Sequence, residues 1–171
     1  AIAVCLNLGA NINIIKKSLK NFSGVQRRMT KIFTKNKNEF FDDYAHHPTE
    51  ISSILSGVKK VYKERKIISV FEPHRFSRVT TLKKEFSESF INSDLVLICP
   101  IYAAGEKKNS SFSLFNFAKL ISKNSKTQVV MVNNRIELSN YFKKNLFSNE
   151  IIIGMGAGSI SKWMRELKFN L

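Results

Sequence analysis

The chain has 171 residues, of which 43% are hydrophobic, so it can bury a core and is not a disordered polypeptide. Its formal net charge is +15, but the lysines are scattered and no basic run coincides with a nucleic-acid-binding motif. The charge alone therefore indicates only weak, non-specific binding to polyanions. No apolar run approaches the roughly 18 residues that a membrane-spanning helix requires.

The two cysteines, Cys5 and Cys99, lie in apolar runs that are far apart in sequence. Their spacing matches no metal-ligand pattern. We therefore expect buried, reduced thiols, which are typical of a cytoplasmic protein.

The first 24 residues predict two short helices that cannot form a core of their own. Residues 1–8 are mostly apolar and stop at Gly9, and residues 13–21 place apolar side chains along one side. We interpret residues 1–24 as the end of a preceding domain and residues 25–171 as a separate domain. The chain is then expected to be the C-terminal part of a longer protein.

The next stretch predicts a hairpin followed by a long helix. Residues 28–34 and 39–44 are rich in strand-forming side chains and flank a polar turn. Residues 48–65 open with Pro48, which is favoured at the first helical position, and repeat apolar residues every three or four positions.

Strands and helices alternate from residue 67 onward, and the predicted strands are continuously apolar, which is typical of a parallel sheet covered on both faces. The fold class is therefore α/β, a Rossmann-like three-layer domain whose six-stranded sheet is mostly parallel, with one antiparallel strand from the N-terminal hairpin. The predicted strands span residues 67–71, 95–99, 129–132 and 151–153, and the predicted helices span 82–91, 112–121, 136–147 and 159–167.

Polar side chains are concentrated where the predicted strands end. In a parallel sheet these ends share one edge, which is where ligands bind in open α/β folds. The loops expected to meet there are residues 43–47, 72–78, 100–106 and 154–159.

Two arginines in the second of these loops, Arg75 and Arg78, are spaced to bind one anion, because guanidinium groups fit carboxylates and phosphates bidentately. Gly156 and Ala157 lie in a turn whose backbone N–H groups could form an anion nest at a helix start, and we expect them to contact substrate. A tight strand-to-helix turn needs glycine anyway, so this second signal is weak alone.

The histidines His46, His47 and His74 do not form a recognisable metal set, and we expect no metal ligands in this chain. A role for His46 beside an amine or carboxylate substrate is more consistent with its position. Asp43 is placed to accept hydrogen bonds from ribose hydroxyls, whereas Asp42 should face the other way and be structural.

Three motifs together resemble the C-terminal domain of the Mur ligases. They are Asp43-Tyr44-Ala45-His46-His47-Pro48, Pro73-His74-Arg75-Phe76-Ser77-Arg78 and Tyr102-Ala103-Ala104-Gly105-Glu106. Phe22-Ser23-Gly24-Val25-Gln26-Arg27-Arg28 is similar to the junction between the central ATPase domain and the C-terminal domain of that family. The resemblance covers essentially the whole chain in the family's order.

The resemblance implies an ATP- and Mg²⁺-dependent C–N ligase of peptidoglycan precursor synthesis, which activates a carboxylate as an acyl phosphate. The combination of motifs favours the branch that joins L-alanine to UDP-N-acetylmuramate. The chain has no Gly-x-x-Gly-Lys-Thr phosphate loop. We therefore expect the phosphate loop, the magnesium ligands and the other two domains to lie outside this fragment, which should be inactive alone.

The resemblance also implies a role for individual residues. Arg28 would reach the ATP phosphates, Asp43 the ribose, and Tyr44 would lie beside the nucleotide. The alanine and the carboxylate end of the sugar nucleotide would be surrounded by His46, His74, Arg75 and Arg78. Of these residues, Arg28 and His46 are the expected catalytic groups.

Three alternatives remain open at this point. The chain could belong to another Mur-type ligase, such as the one that recycles murein tripeptide, although that branch has a different second motif. It could be a stand-alone basic α/β module that binds nucleic acid. It could also be a small-molecule-binding domain that uses only the glycine-rich turn at residues 156–159.

Overall fold

A six-stranded sheet forms the centre of the computed structural model, which describes residues 1–22, 24–107 and 111–171. The strands lie in the order β1-β2-β6-β3-β4-β5, so the last strand of the chain is inserted between the hairpin and β3. Only β1 runs antiparallel to its neighbour, and the predicted fold class is confirmed. The strands are β1 (Thr30–Lys35), β2 (Asn38–Asp43), β3 (Ile67–Phe71), β4 (Leu95–Ile98), β5 (Gln128–Met131) and β6 (Ile151–Met155).

Helices cover both faces of the sheet and give three layers. The helices are α1 (Ile2–Asn7), α2 (Ile12–Lys20), α3 (Pro48–Val61), α4 (Phe76–Thr81), α5 (Lys83–Glu88), α6 (Leu114–Ser125), α7 (Arg135–Asn145) and α8 (Ile160–Asn170). Buried side chains of α3 to α6 pack on one face, and those of α7 and α8 pack on the other. Successive residues of β6 alternate between the two cores, because side chains along a strand point to opposite faces.

The structure differs from several of the predicted helix boundaries. The helix predicted over residues 112–121 spans Leu114–Ser125 as α6. The helix that starts at Pro48 ends at Val61 rather than at Arg65. Residues 76–78, predicted as loop, begin the helix α4, and Leu82 separates α4 from α5 instead of starting one long helix. Ser77 in the first turn of α4 donates its backbone N–H and its hydroxyl to the distant Glu106, a tertiary contact that local periodicity does not reveal.

The first two helices form a small unit with little buried surface. Of their side chains only that of Ile15 is buried, whereas Leu8 is 82% exposed and Ile14 is 65% exposed. Ser23, in the predicted junction, lies outside the described residues. The assignment of residues 1–24 to a preceding domain stays a prediction.

The longest helix in the described part of the chain, α3, has 14 residues, and no described helix has the length and apolar character needed to cross a membrane.

Replacing Phe71 with alanine tests the position of the core. Phe71 is fully buried on the central strand β3 and packs against Phe86 and Phe90, so Phe71→Ala should lower the free energy of unfolding by about 3–5 kcal/mol. Phe169→Ala is the matched control, because Phe169 is 83% exposed and its loss should cost less than about 0.5 kcal/mol. Urea titration measures both, and equal effects would contradict the described core.

Candidate functional site

The start of α3 positions the first group of polar side chains. His47 caps the helix through its Nδ1, which accepts from the Thr49 N–H at 3.4 Å, and Pro48 occupies the first turn. The Glu50 side chain reaches back and accepts from the backbone N–H groups of His46 and His47, at 3.0 and 3.2 Å. This capping box fixes the backbone on either side of His46.

His46 and His74 lie next to each other at the carboxyl edge of the sheet, with ring centroids 5.5 Å apart. Arg78, one helical turn after His74, donates from its guanidinium to His74 Nδ1 at 3.0 Å. Because a guanidinium can only donate, Nδ1 must be the acceptor, so His74 is neutral and carries its proton on Nε2. Burial, followed by the positive charges of Arg78, His46 and Arg75, lowers the pKa of His74 below its ordinary value.

Arg75 is exposed and has a φ of 68°, in the left-handed region that non-glycine residues seldom occupy. Its backbone N–H donates to the carbonyl of Tyr102 at 2.9 Å, which ties the loop after β3 to the loop after β4. Non-glycine residues held in sparsely populated backbone regions cluster at functional sites. The strained backbone is therefore consistent with a binding role for Arg75.

The buried carboxylate of Asp43 organises the turn that carries Arg28. It is 1% exposed and accepts from the backbone N–H groups of Met29, at 2.7 Å, and Ala45, at 2.8 Å. Arg27 and Met29, on either side of Arg28, both have left-handed backbones, with φ of 58° and 45°. Burial raises the pKa of Asp43, although the two backbone hydrogen bonds act in the opposite direction.

Tyr44 lies between the Arg28 turn and the histidines. The Arg27 guanidinium is 4.6 Å and the Arg28 guanidinium 6.0 Å from the centroid of the Tyr44 ring, within the range of cation–π attraction. The Tyr44 ring also contacts the His46 ring edge-on, with the centroids 5.2 Å apart. Tyr44 is 37% exposed, so part of this aromatic surface is open to a ligand.

The Asp42 side chain faces away from that of Asp43, as predicted, and has a structural role. Its fully buried carboxylate accepts from the Ser161 hydroxyl at 2.6 Å and from Arg165 at 3.1 Å, which attaches α8 to the end of β2. Arg27 also approaches it, with Nε 3.8 Å from Oδ1, and donates through its terminal nitrogen to the Gly156 carbonyl at 2.6 Å.

The glycine-rich turn after β6 is bonded to a carboxylate of the protein itself. Glu72, 3% exposed, accepts from the Ser159 hydroxyl and from the Ile160 N–H, the latter at 3.2 Å. Burial raises the pKa of Glu72, while these hydrogen bonds lower it. Gly156 donates its N–H to the Asp43 carbonyl at 3.3 Å. The start of α8 is thus already paired with an anion, whereas the sequence predicted an open nest at Gly156 and Ala157.

Sequence reasoning missed Glu72 as a cap and Arg27 as a bridging cation. Glu72 lies in a predicted edge loop and Arg27 in the recognised junction motif, but their partners are far away in sequence: Ser159 is 87 residues from Glu72, and Gly156 is 129 residues from Arg27. Within the described residues, no group of three His, Cys, Asp or Glu side chains could hold a metal ion.

The carboxyl edge of the sheet thus carries five basic side chains beside the partly exposed ring of Tyr44. They are Arg28, His46, His74, Arg75 and Arg78. A parallel sheet with cations and an aromatic ring at its carboxyl edge is typical of α/β domains that bind nucleotides and other anions.

Comparison with known proteins identifies the family. Residues 27–158 match the family model described as Mur ligase, glutamate ligase domain, and the chain therefore belongs to the Mur ligase family. It is 54% identical over 167 residues to the UDP-N-acetylmuramate–L-alanine ligase of Pelagibacter ubique, covering 98% of this chain and 36% of that protein. It is 39% identical over 172 residues to the ligase of the same name from Rickettsia felis, covering 98% and 36%.

A solved structure shares the fold. The UDP-N-acetylmuramate-alanine ligase MurC of Thermotoga maritima superposes with a TM-score of 0.76 at 26% identity, covering 98% of this chain and 35% of that one. The chain thus spans about a third of the length of the relatives it matches.

The burial of the Glu72 carboxyl predicts a pH-dependent contribution to stability. Since its folded-state pKa lies above the ordinary value of 4.5, the folded state binds the proton more tightly than the unfolded state. The stabilisation that comes from this proton uptake is therefore fully present below about pH 4.5 and is lost as the pH rises through the folded-state pKa of Glu72. We therefore compare the wild type with Glu72→Gln. The difference between their free energies of unfolding, wild type minus variant, should decrease as the pH is raised from about 4 to about 8.

Denaturant titrations across that pH range measure this difference. Glu64→Gln, which removes one carboxylate from an exposed position, controls for the change in net charge. A difference that is constant with pH would show that the Glu72 carboxyl is not perturbed by its burial at the start of α8.

Proposed function

We propose that the chain is the C-terminal domain of the ATP-dependent ligase that joins L-alanine to UDP-N-acetylmuramate. The observation that carries the proposal is a single cation-lined edge, with an aromatic ring beside it, in a chain whose relatives are named for that reaction. In the proposed reaction ATP phosphorylates the sugar-nucleotide carboxylate, ADP leaves, the alanine amine attacks the acyl phosphate, and inorganic phosphate departs.

The ATP side of the site comprises Arg28, Asp43 and Tyr44. Arg28 is exposed and contacts the phosphates, where a positive charge stabilises the charge that develops during phosphoryl transfer. Tyr44 offers its open ring surface to the nucleotide. Asp43 orders the turn that presents Arg28; because its carboxylate is buried and already accepts from two backbone N–H groups, we propose this positioning role for it in place of the predicted contact with a ribose hydroxyl.

The other substrates lie against His46, His74, Arg75 and Arg78. The two arginines hold carboxylates, and the Nε2–H of neutral His74 is a further donor. His46 Nδ1 lies 2.9 Å from the Tyr44 carbonyl, which can only accept, so the Nδ1 of neutral His46 carries the proton. Its Nε2 is then free to accept a proton from the attacking alanine amine.

Gly156 and Ala157 border the substrate in this proposal rather than hold its phosphates. Glu72 already bonds to the first turn of α8, so the backbone donors there have an anionic partner. The Gly156 carbonyl instead fixes Arg27, which lies over the Tyr44 ring.

The remaining parts of the reaction are assigned to the rest of a longer polypeptide. We assign the phosphate loop, the magnesium ligands and the sugar-nucleotide-binding domain to that part, and residues 1–24 to the end of its central ATPase domain. The exposed apolar side chains of α1 and α2 support this assignment, because an isolated pair of short helices gains little from leaving them in water. The isolated chain should accordingly be inactive.

Part of the basic charge of the chain has a structural explanation. The last turns of the main helices carry lysines, where a positive charge interacts favourably with the helix dipole. These residues are Lys59 and Lys60 in α3, Lys123 in α6, and Lys143 and Lys144 in α7.

Arg75→Ala tests the substrate side of the proposal. The assay uses a chimaera in which this chain replaces the matching C-terminal part of the Pelagibacter ubique ligase. Loss of the guanidinium should raise the KM for L-alanine or UDP-N-acetylmuramate roughly 10-fold or more, since a hydrogen bond to a charged group contributes about 1.5–3 kcal/mol. Arg135→Ala is the control, because Arg135 forms an exposed ion pair with Glu166 outside the site. Unchanged steady-state kinetics for Arg75→Ala would refute its assignment.

Arg28→Ala tests the ATP side in the same chimaera. Removing this exposed cation should lower kcat or raise the KM for ATP by roughly 10-fold or more, without changing the KM for L-alanine. The free energy of unfolding should change by less than about 0.5 kcal/mol, because the side chain is exposed. Lys31→Ala, on the neighbouring strand, is the control for loss of a positive charge. An unaltered dependence on ATP would place the phosphates elsewhere.

A further inference from the structure

We propose that Tyr102 is a positioning residue of this site, whose backbone and ring hold His74 and Arg75 in the orientation that substrate binding requires. The catalytic consequence rests on the proposed function, whereas the geometric part can be tested without it. Tyr102 belongs to the loop after β4, and no contact with the substrates is assigned to it.

The backbone of Tyr102 braces the strained loop after β3. Its N–H donates to the Pro73 carbonyl at 2.8 Å, and its own carbonyl accepts from the Arg75 N–H at 2.9 Å. His74 and Tyr102 pair as an isolated parallel bridge between these two bonds. The left-handed φ of Arg75 therefore occurs directly beside a two-point attachment to Tyr102.

The ring of Tyr102 sets the plane of the His74 imidazole. The two rings are stacked, with centroids 5.6 Å apart and an interplanar angle of 15°. Arg78 bonds to His74 Nδ1 at 3.0 Å, so stacking and hydrogen bonding together restrict both the tilt and the rotation of the imidazole. The remaining polar atom, Nε2–H, is left to face the ligand.

The Tyr102 ring also lies against the glycine-rich turn after β6. Gly158 lies against Tyr102, and a Cβ built on this glycine would be 2.4 Å from a ring carbon. The same Cβ would be 2.5 Å from Glu72 Oε2, so no side chain other than hydrogen fits there without moving Tyr102 and Glu72. Yet Tyr102 is 43% exposed, so the ring is not a core side chain and its placement is better explained by the stack on His74.

The experiment follows His74 directly by NMR titration of the imidazole nitrogens in the 171-residue chain, which contains only three histidines. The charged and titratable groups that face His74 are Arg78, His46, Arg75 and Glu106. Tyr102→Ala exposes the imidazole to water and should move its pKa upward toward the ordinary value, because burial is the main cause of the lowering. Tyr102→Phe keeps the stack and should leave the titration unchanged.

Two further variants keep the result interpretable. Tyr62→Ala removes a partly buried tyrosine that packs on Phe41, and should affect stability without moving the His74 titration. If Tyr102→Ala does not fold, Tyr102→Leu retains bulk and both backbone hydrogen bonds while removing the aromatic stack. A folded Tyr102→Ala or Tyr102→Leu variant with an unchanged His74 titration would overturn the proposal.

Kinetics of the chimaera separate this proposal from the proposed function. Tyr102→Ala should reduce kcat/KM for L-alanine by roughly 10- to 100-fold, the usual cost of losing an orienting partner, and Tyr102→Phe should restore it. Equal activity of Tyr102→Ala and the parent would overturn the positioning role. An inactive parent chimaera, combined with a His74 titration that depends on Tyr102, would overturn the ligase assignment and support the positioning role.

Discussion

One row of residues across the sheet determines where the site can form. Asp43 pairs with Met155, Met155 with Phe71, Phe71 with Ile98, and Ile98 with Met131. All five parallel strands therefore end at the same level, and the residues that follow leave the sheet side by side. Because the register of a buried sheet cannot slip without turning every side chain to the wrong face, the level of this row is strongly constrained.

The acidic groups at this edge bind the protein's own donors, which leaves an excess of cations for ligands. Asp43 binds the turn around Arg28, and Asp42 and Glu72 bind α8. Burial raises the pKa of Glu50, but hydrogen bonding to the His46 N–H and the charge of His46, together with smaller contributions from His47 and Arg28, leave it below its usual value. Carboxylates used in this way order the backbone that carries the cations.

The sequence predicts the layers and the strand directions well, because both follow from local patterns, whereas the strand order, with β6 between β2 and β3, was not predicted. Continuous apolar runs identified β3, β4 and β6, and Pro48 marked the start of α3. The strand-end rule also brought His46 and His74 to one edge, although their roles remain predictions. What could not be predicted depends on contacts between distant residues. The start of α4 is bonded to Glu106, and the start of α8 to Glu72, and neither pairing has a periodic signal.

The position of β6 has a consequence for how the domain folds. It is the last strand in the chain, yet it lies between β2 and β3 and joins the hairpin to the rest of the sheet. During synthesis the hairpin cannot join β3 until Ile151–Met155 has emerged, more than 100 residues after β2. Sequence-distant pairing of this kind is slow, because the entropy of closing the loop must be lost before the contacts form. Until then the two parts of the site, one on β2 and one after β3, are not joined through the sheet, and completion of the sheet and assembly of the site coincide.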